Sequence, residues 1–141
     1  MNNVIVSISI RKNIVAILIV ENGQIRKRIV ERIKSDSALE SSYAGMIYAF
    51  NLALRHVRQY VQENNNSRNI CFETSNSTFI KWIEKQYSKE AYQESFNNVL
   101  KLLQELPIKY AFSFSQKPMA FVYAVDSYCK KESVSGLDLE D

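Results

Sequence analysis

Glycine, proline, cysteine and histidine are scarce in this chain of 141 residues, which has three, two, two and one of them respectively. So few glycines leave no glycine-rich loop to cradle a nucleotide's phosphates. Cys71 and Cys129 stand outside any CxxC or histidine cluster, which excludes a zinc centre and a disulfide framework; two buried thiols in a reducing compartment are expected. His56 has no serine or cysteine at an informative spacing, so no nucleophile and base can be paired, and it is expected on the solvent side of a helix. Long apolar runs are missing too. The longest, Ile14–Val20, is far short of the roughly 18–20 residues a membrane span needs, and no basic stretch leads into a cleavable apolar segment at the N-terminus. A cytoplasmic protein without membrane contact is the expectation. Charge of one sign is not in excess either. Eighteen lysines and arginines against 15 aspartates and glutamates give a net charge of +3, so only the distribution of charge can argue for a nucleic-acid partner.

What is present is a 46% hydrophobic composition, enough for one compact domain and not for two. That domain is expected over residues 1–132, followed by a flexible acidic tail over 133–141. Val4–Ile10 alternates, with Val4, Val6, Ile8 and Ile10 on one face of a strand and Ile5, Ser7 and Ser9 on the other, before the polar turn Arg11-Lys12-Asn13. Ile14–Val20 is unbroken and rich in β-branched residues, as expected of a strand buried on both faces. Glu21-Asn22-Gly23-Gln24 is a tight hairpin signal, returning the chain as an antiparallel third strand over Ile25–Lys34. Alternation there points Ile25, Ile29 and Ile33 one way and Arg26, Arg28, Arg32 and Lys34 the other.

Helical spacing takes over next. Ser37 and Glu40 fit a capping box, and Leu39, Tyr43, Met46, Ile47, Phe50, Leu54, Val57 and Val61 mark the apolar face of a helix over about Ala38–Gln62. A polar loop at Asn64–Ser67 precedes a short strand, Asn69–Thr74. Ser77 or Thr78 is placed to cap a helix carrying Phe79, Ile83 and Tyr87. Another helix is expected over Glu90–Leu106, with Phe96, Val99, Leu100 and Leu103 inward and Pro107 ending it. A fifth strand over Ile108–Phe114 and a last helix over about Pro118–Lys131 complete the domain.

Ser75-Asn76-Ser77-Thr78-Phe79-Ile80 is similar to the Thr-Asp-Ser-Gln-Tyr-Val segment of type 1 ribonuclease H, Tyr43–Leu54 resembles that family's first long helix, and Ile108-Lys109-Tyr110 resembles its Ile-Lys-Trp strand. The element order is also that of the family. The resemblance implies an α/β fold: a mixed five-stranded sheet, three antiparallel strands and then two alternating with helices, flanked by helices. It also implies where two magnesium ions would sit on four carboxylates. At those positions this chain has Ser9 (or Ser7), Tyr43, Asn76 and Asp126. One carboxylate of four survives, Gln116 stands near the family's loop histidine, and the glycine-rich sequence between the first two strands is missing. A degenerate domain that needs no metal or other cofactor is therefore expected.

Arg26, Arg28, Arg32 and Lys34, with Arg11 and Lys12 at the neighbouring turn, form a basic stripe that has three readings: protection of an edge strand, contact with nucleic-acid phosphates, or contact with an acidic protein. Tyr110, Phe112 and Phe114 alternate in a strand and are expected to pack in the core, with base stacking as the alternative, and Trp82 and Tyr87 belong either to the core or to a partner face. The leading expectation is a catalytically inactive, ribonuclease H-like protein-interaction or regulatory module in a nucleic-acid-processing assembly, with an unnamed protein partner. The alternative is a non-cleaving binder of RNA or DNA. A divergent metal-dependent nuclease using Asp126 with Glu40 or Asp36 is opposed by the three lost carboxylates. For the tail, two roles stand open: a solubilising end, or a peptide that shields the basic face or docks on a partner through Leu137 and Leu139.

Overall fold

The computed structural model describes residues 2–33, 43–64 and 67–129. The alternating and β-branched opening builds an antiparallel meander of β1 (Asn2–Arg11), β2 (Ile14–Glu21) and β3 (Gln24–Arg32). Its second turn holds Asn22 at φ 55° and Gly23 at φ 77°, the left-handed pair that lets a two-residue loop match the strand twist. Every residue of β2 is buried, which explains its lack of alternation.

α1 (Tyr43–Glu63) then carries the chain across the sheet to β4 (Ser67–Thr74), which pairs parallel with β1. α2 (Ser77–Lys85), a short 3-10 turn at Glu90–Tyr92 and α3 (Gln93–Gln104) lead to β5 (Lys109–Phe114), parallel to β4. α4 (Phe121–Cys129) follows. The strand order is β3-β2-β1-β4-β5, leaving β3 and β5 as the two edges. This is the mixed five-stranded sheet expected from the sequence.

The sheet separates two cores. On one side Val4, Val6 and Ile8 of β1 and Ile70 and Phe72 of β4 pack against α1, α2 and α3. Phe50 is at the centre, stacked on Phe79 at 4.6 Å and flanked by Phe112 and Phe72 at 5.8 and 6.0 Å. On the other side Ile14, Ala16, Leu18, Val20 and Val30 meet Ala120 and Ala124 of the α4 region. Two tyrosines fasten α1 to the meander: the Tyr60 hydroxyl donates to the buried Glu21 carboxylate and the Tyr48 hydroxyl to Glu31. Burial and those hydrogen bonds push both phenols up to about 12.

Several expectations change. α4 starts at Phe121, three residues beyond Pro118, whose carbonyl accepts from the Phe121 N–H at 2.8 Å. His56 is half-buried, and its Nδ1 is buried with no hydrogen-bond partner among the described residues. Burial, then Lys27 and Arg55, lower its pKa, while Glu31 opposes them. Cys71 is half-buried instead of sealed in the core. The expected capping box at Ser37 and Glu40, Asp36, Lys34 and the acidic tail lie outside the described residues.

Candidate functional site

The carboxyl ends of β1 and β4 lie side by side, with Ser7 opposite Glu73 in the ladder. Both side chains face α4 and hold the turn that leads into it: the Ala120 N–H donates to Ser7 Oγ at 2.8 Å and the Met119 N–H to Glu73 Oε1 at 3.0 Å. These bonds satisfy N–H groups that no helical carbonyl can reach. Ser9, two residues on along β1, lies on the same face and is 2% exposed, with Ala16 of β2 as its ladder neighbour. Asp126 lies on α4 and is exposed.

Asn76 and Tyr43 occupy different surroundings. Asn76 Oδ1 accepts from the Phe79 N–H at 2.8 Å, making Asn76 the N-cap of α2. The cap is therefore neither Ser77 nor Thr78, because only the residue just before the first helical turn has the extended backbone that aims its side chain back at the helix. The Asn76 N–H donates to Thr74 Oγ1 at 3.3 Å, and the Ser115 N–H to the Thr74 carbonyl at 2.9 Å. Tyr43, at the start of α1, is on the opposite face of the sheet from Ser9. Its ring lies 4.5 Å from that of Trp82 and 5.9 Å from that of Tyr92, with Lys89 Nζ 4.9 Å from its centroid. Of the four positions that the resemblance assigns to carboxylates, Ser9 and Asp126 are thus on the α4 side, Tyr43 is on the α1 side, and Asn76 belongs to a helix cap.

Two Mg²⁺ ions held close together repel and part with water reluctantly, so such a site needs several anionic oxygens. Among the described residues no group of three or more His, Cys, Asp or Glu side chains is placed to hold a metal. The four positions named from the resemblance, Ser9, Tyr43, Asn76 and Asp126, offer one carboxylate between them. The carboxylate that sequence reasoning overlooked is Glu73. Its signal was in the alternation of Asn69–Thr74, which puts Asn69, Cys71 and Glu73 on the face of Ser7.

The cap gives a simple test. Asn76→Ala is expected to cost about 1 kcal/mol of stability in denaturant titration, and Asn76→Asp to cost nothing, because aspartate caps equally well and suits the positive end of the helix dipole. Equal losses in both variants would remove Asn76 from the cap role.

The basic stripe is divided. The β2–β3 register slips so that Val20 faces Ile25 but Ile19 faces Lys27, leaving Arg26 as an extra residue at a bulge that reverses the alternation. Arg26 acts electrostatically on the Tyr60 hydroxyl of α1, whereas the Arg28 guanidinium lies 5.5 Å from the ring centroid of Tyr123 on α4. The expectation that Arg26, Arg28 and Arg32 share one face fails at Arg26, the bulge residue, whereas Arg28 and Arg32 stay on one face, opposite Leu18 and Ile14 of β2; Lys34 lies outside the described residues. Arg11 and Arg32 are instead brought together: both are ladder neighbours of Ile14, on its two sides. Arg32 also reaches Asn13 Oδ1 at 3.5 Å, and Lys12 is at the turn with φ 57°. Among the aromatics, Trp82 is buried and Phe112 stacks on Phe72 at 5.1 Å, while Tyr87, Tyr110 and Phe114 are exposed. Gln116 is exposed in the loop between β5 and α4.

No protein-family model and no curated protein matches the chain. Solved structures do match. One is ribonuclease H1 from the halophilic archaeon Halobacterium salinarum, at 14% identity and a TM-score of 0.61, covering 89% of this chain and 98% of that one. A ribonuclease H1 isolated from compost by a metagenomic approach matches at 10% identity and a TM-score of 0.64, over 89% of this chain and 90% of that one. The same enzyme in complex with an RNA/DNA hybrid matches at 10% identity and a TM-score of 0.63, over 92% of this chain and 99% of that one. With the strand order β3-β2-β1-β4-β5 and these neighbours, the chain has the ribonuclease H fold.

Proposed function

We propose that this chain is a ribonuclease H-fold module that binds without cleaving, serving as a protein-interaction or regulatory part of a nucleic-acid-processing assembly. One observation carries this: where the resemblance expects anionic metal ligands, Asn76 caps α2 and Tyr43 packs against Trp82, while Ser9 is buried beneath α4. Neutral side chains engaged in capping and packing do not gather two metal ions, and no catalytic step is assigned to them.

The purified chain, incubated with an RNA/DNA hybrid and Mg²⁺ or Mn²⁺, is expected to release no product, and its thermal midpoint to show no saturable response to either ion. Metal-dependent cleavage that disappears in Asp126→Asn would overturn inactivity. Affinity purification with and without nuclease treatment then separates a protein partner, retained in both arms, from a nucleic-acid bridge, lost in one.

Direct contact with nucleic acid is the second reading, favoured by the placement of Arg11 and Arg32 around Ile14, with Lys12 at the adjoining turn. If phosphates lie there, affinity falls steeply with salt and Arg11→Gln with Arg32→Gln flattens that dependence by about two counterions. Binding that ignores both substitutions leaves the protein partner.

A further inference from the structure

The two edges of the sheet are built differently. β3 carries Arg26, Lys27, Arg28, Glu31 and Arg32 and is bent by its bulge, and both features deter another strand from pairing there. β5 has no proline, keeps an unbroken register with β4 and carries one charge, Lys109, at its first position. Among the described residues only β4 pairs with it, so its outer side is open. The Ser115 N–H donates to the Thr74 carbonyl at 2.9 Å, and alternation then aims the peptide groups of Lys109, Ala111 and Ser113 at β4 and those of Tyr110, Phe112 and Phe114 outward. The chain leaving β5 turns back over the sheet, where the Met119 and Ala120 N–H groups donate to Glu73 and Ser7, and leaves that edge clear.

The side chains of this strand fit a second copy of itself. Tyr110 and Phe114 are 40% and 52% exposed, while Phe112 between them stacks on Phe72. Antiparallel pairing about a two-fold axis at Phe112 sets Tyr110 of each copy opposite Phe114 of the other and the two Phe112 side by side, aromatic against aromatic in every outward row. All three outward residues are then engaged, for about six main-chain hydrogen bonds at two per pair; sliding the strands by two residues either way loses one pair. Charge selects the same register. On the α4 side Lys109 stands at one end of β5 and Glu73, the ladder neighbour of Ser113, near the other. The two-fold brings each Lys109 to the end where the other copy has Glu73 and keeps the two lysines apart. We propose that two copies of this chain join β5 to β5 as an isologous dimer with one continuous sheet. A seam of one short strand is small, so the dimer is reversible.

Sedimentation equilibrium of the full chain from roughly 1 μM to 1 mM is expected to show the mass climbing from that of one chain to that of two. Tyr110→Lys with Phe114→Lys opposes like charges in both outer rows and weakens association at least about tenfold, whereas Tyr110→Glu with Phe114→Lys opposes unlike charges and regains part of that loss. Both positions are exposed, and the thermal midpoint of each variant at high dilution checks that it folds. Disulfide formation reads the register. Ala111 of one copy faces Ser113 of the other in a close pair about 4.5 Å apart, within reach of a disulfide. In chains carrying Cys71→Ser and Cys129→Ser, a mixture of Ala111→Cys and Ser113→Cys therefore crosslinks faster than either alone. A chain that stays monomeric throughout overturns the proposal, as does a dimer indifferent to both charge pairs, and so does growth beyond two copies, the sign of head-to-tail addition. None of these readouts depends on nuclease activity or nucleic-acid binding, so the proposed function stands or falls separately.

Discussion

Phe50→Ala is expected to lower the unfolding free energy by about 3–5 kcal/mol. For a domain of this size that is a fall of roughly 10–20 °C in the thermal midpoint. Phe50 is fully buried, and its ring is the one that joins α1 to α2 through Phe79, to β4 through Phe72 and to β5 through Phe112. Removing it takes away apolar area and leaves a cavity whose walls belong to four different elements, so no single shift can close it. Phe50→Leu, which keeps much of the volume, should lose far less. The exposed Tyr87 provides the contrast: Tyr87→Ala changes stability by no more than about 0.5 kcal/mol. Equilibrium denaturation of the three variants checks the order, and a loss below 1 kcal/mol for Phe50→Ala would show that the site collapses freely.

The second large effect belongs to Tyr60 and Glu21. Glu21 is 5% exposed and accepts from the Tyr60 hydroxyl. Tyr60→Phe leaves that carboxylate in place without its donor, at a cost of about 1–3 kcal/mol at neutral pH. The same bond has a pH signature. The Tyr60 phenol is raised from 10.0 to about 12, first by burial and then by Glu21, so the folded state holds the proton more tightly than the unfolded state does. The stabilisation is fully present below pH 10, the unfolded value, and is lost as pH rises from 10 to about 12. Tyr48, raised to about 12 by burial and Glu31, adds to the same alkaline limb. Tyr60→Phe should therefore shrink the loss of stability across that window, and Tyr48→Phe with Tyr60→Phe should shrink it further. A limb of undiminished size in the double variant would place its origin elsewhere.

Much of the architecture was legible because it rests on short-range rules. The Asn22-Gly23 turn, the unbroken apolar run of β2 and the helical spacing of Met46, Phe50, Leu54 and Val57 each reflect local geometry, and each is found. The bulge at Arg26 was not legible, because it is a property of two strands: the sequence of β3 alternates well enough alone, and only pairing with β2 shows that Ile25 and Lys27 face opposite ways. His56 was misjudged for a related reason. Its place on the polar side of α1 is correct, but the charges of Lys27 and Glu31 on β3 act on it there, which a helical wheel does not contain. Glu73 was passed over because a lone carboxylate in a strand carries no motif, and its role appears only once β5 has returned the chain to put Met119 beside it.

β1 pairs with a near neighbour in sequence on one side and a distant one on the other. Its partnership with β2 closes through the turn at Lys12 and Asn13, while its partnership with β4 joins residues such as Asn3 and Asn69. In kinetic terms those two seams are unequal. Closing a chain segment of some 65 residues costs roughly 3 kcal/mol more entropy than closing a two-residue turn. The meander of β1, β2 and β3 can form from local encounters, whereas the parallel half waits until α1 has brought β4 back. By closure entropy alone, the seam between β1 and β2 is the less costly of the two to form.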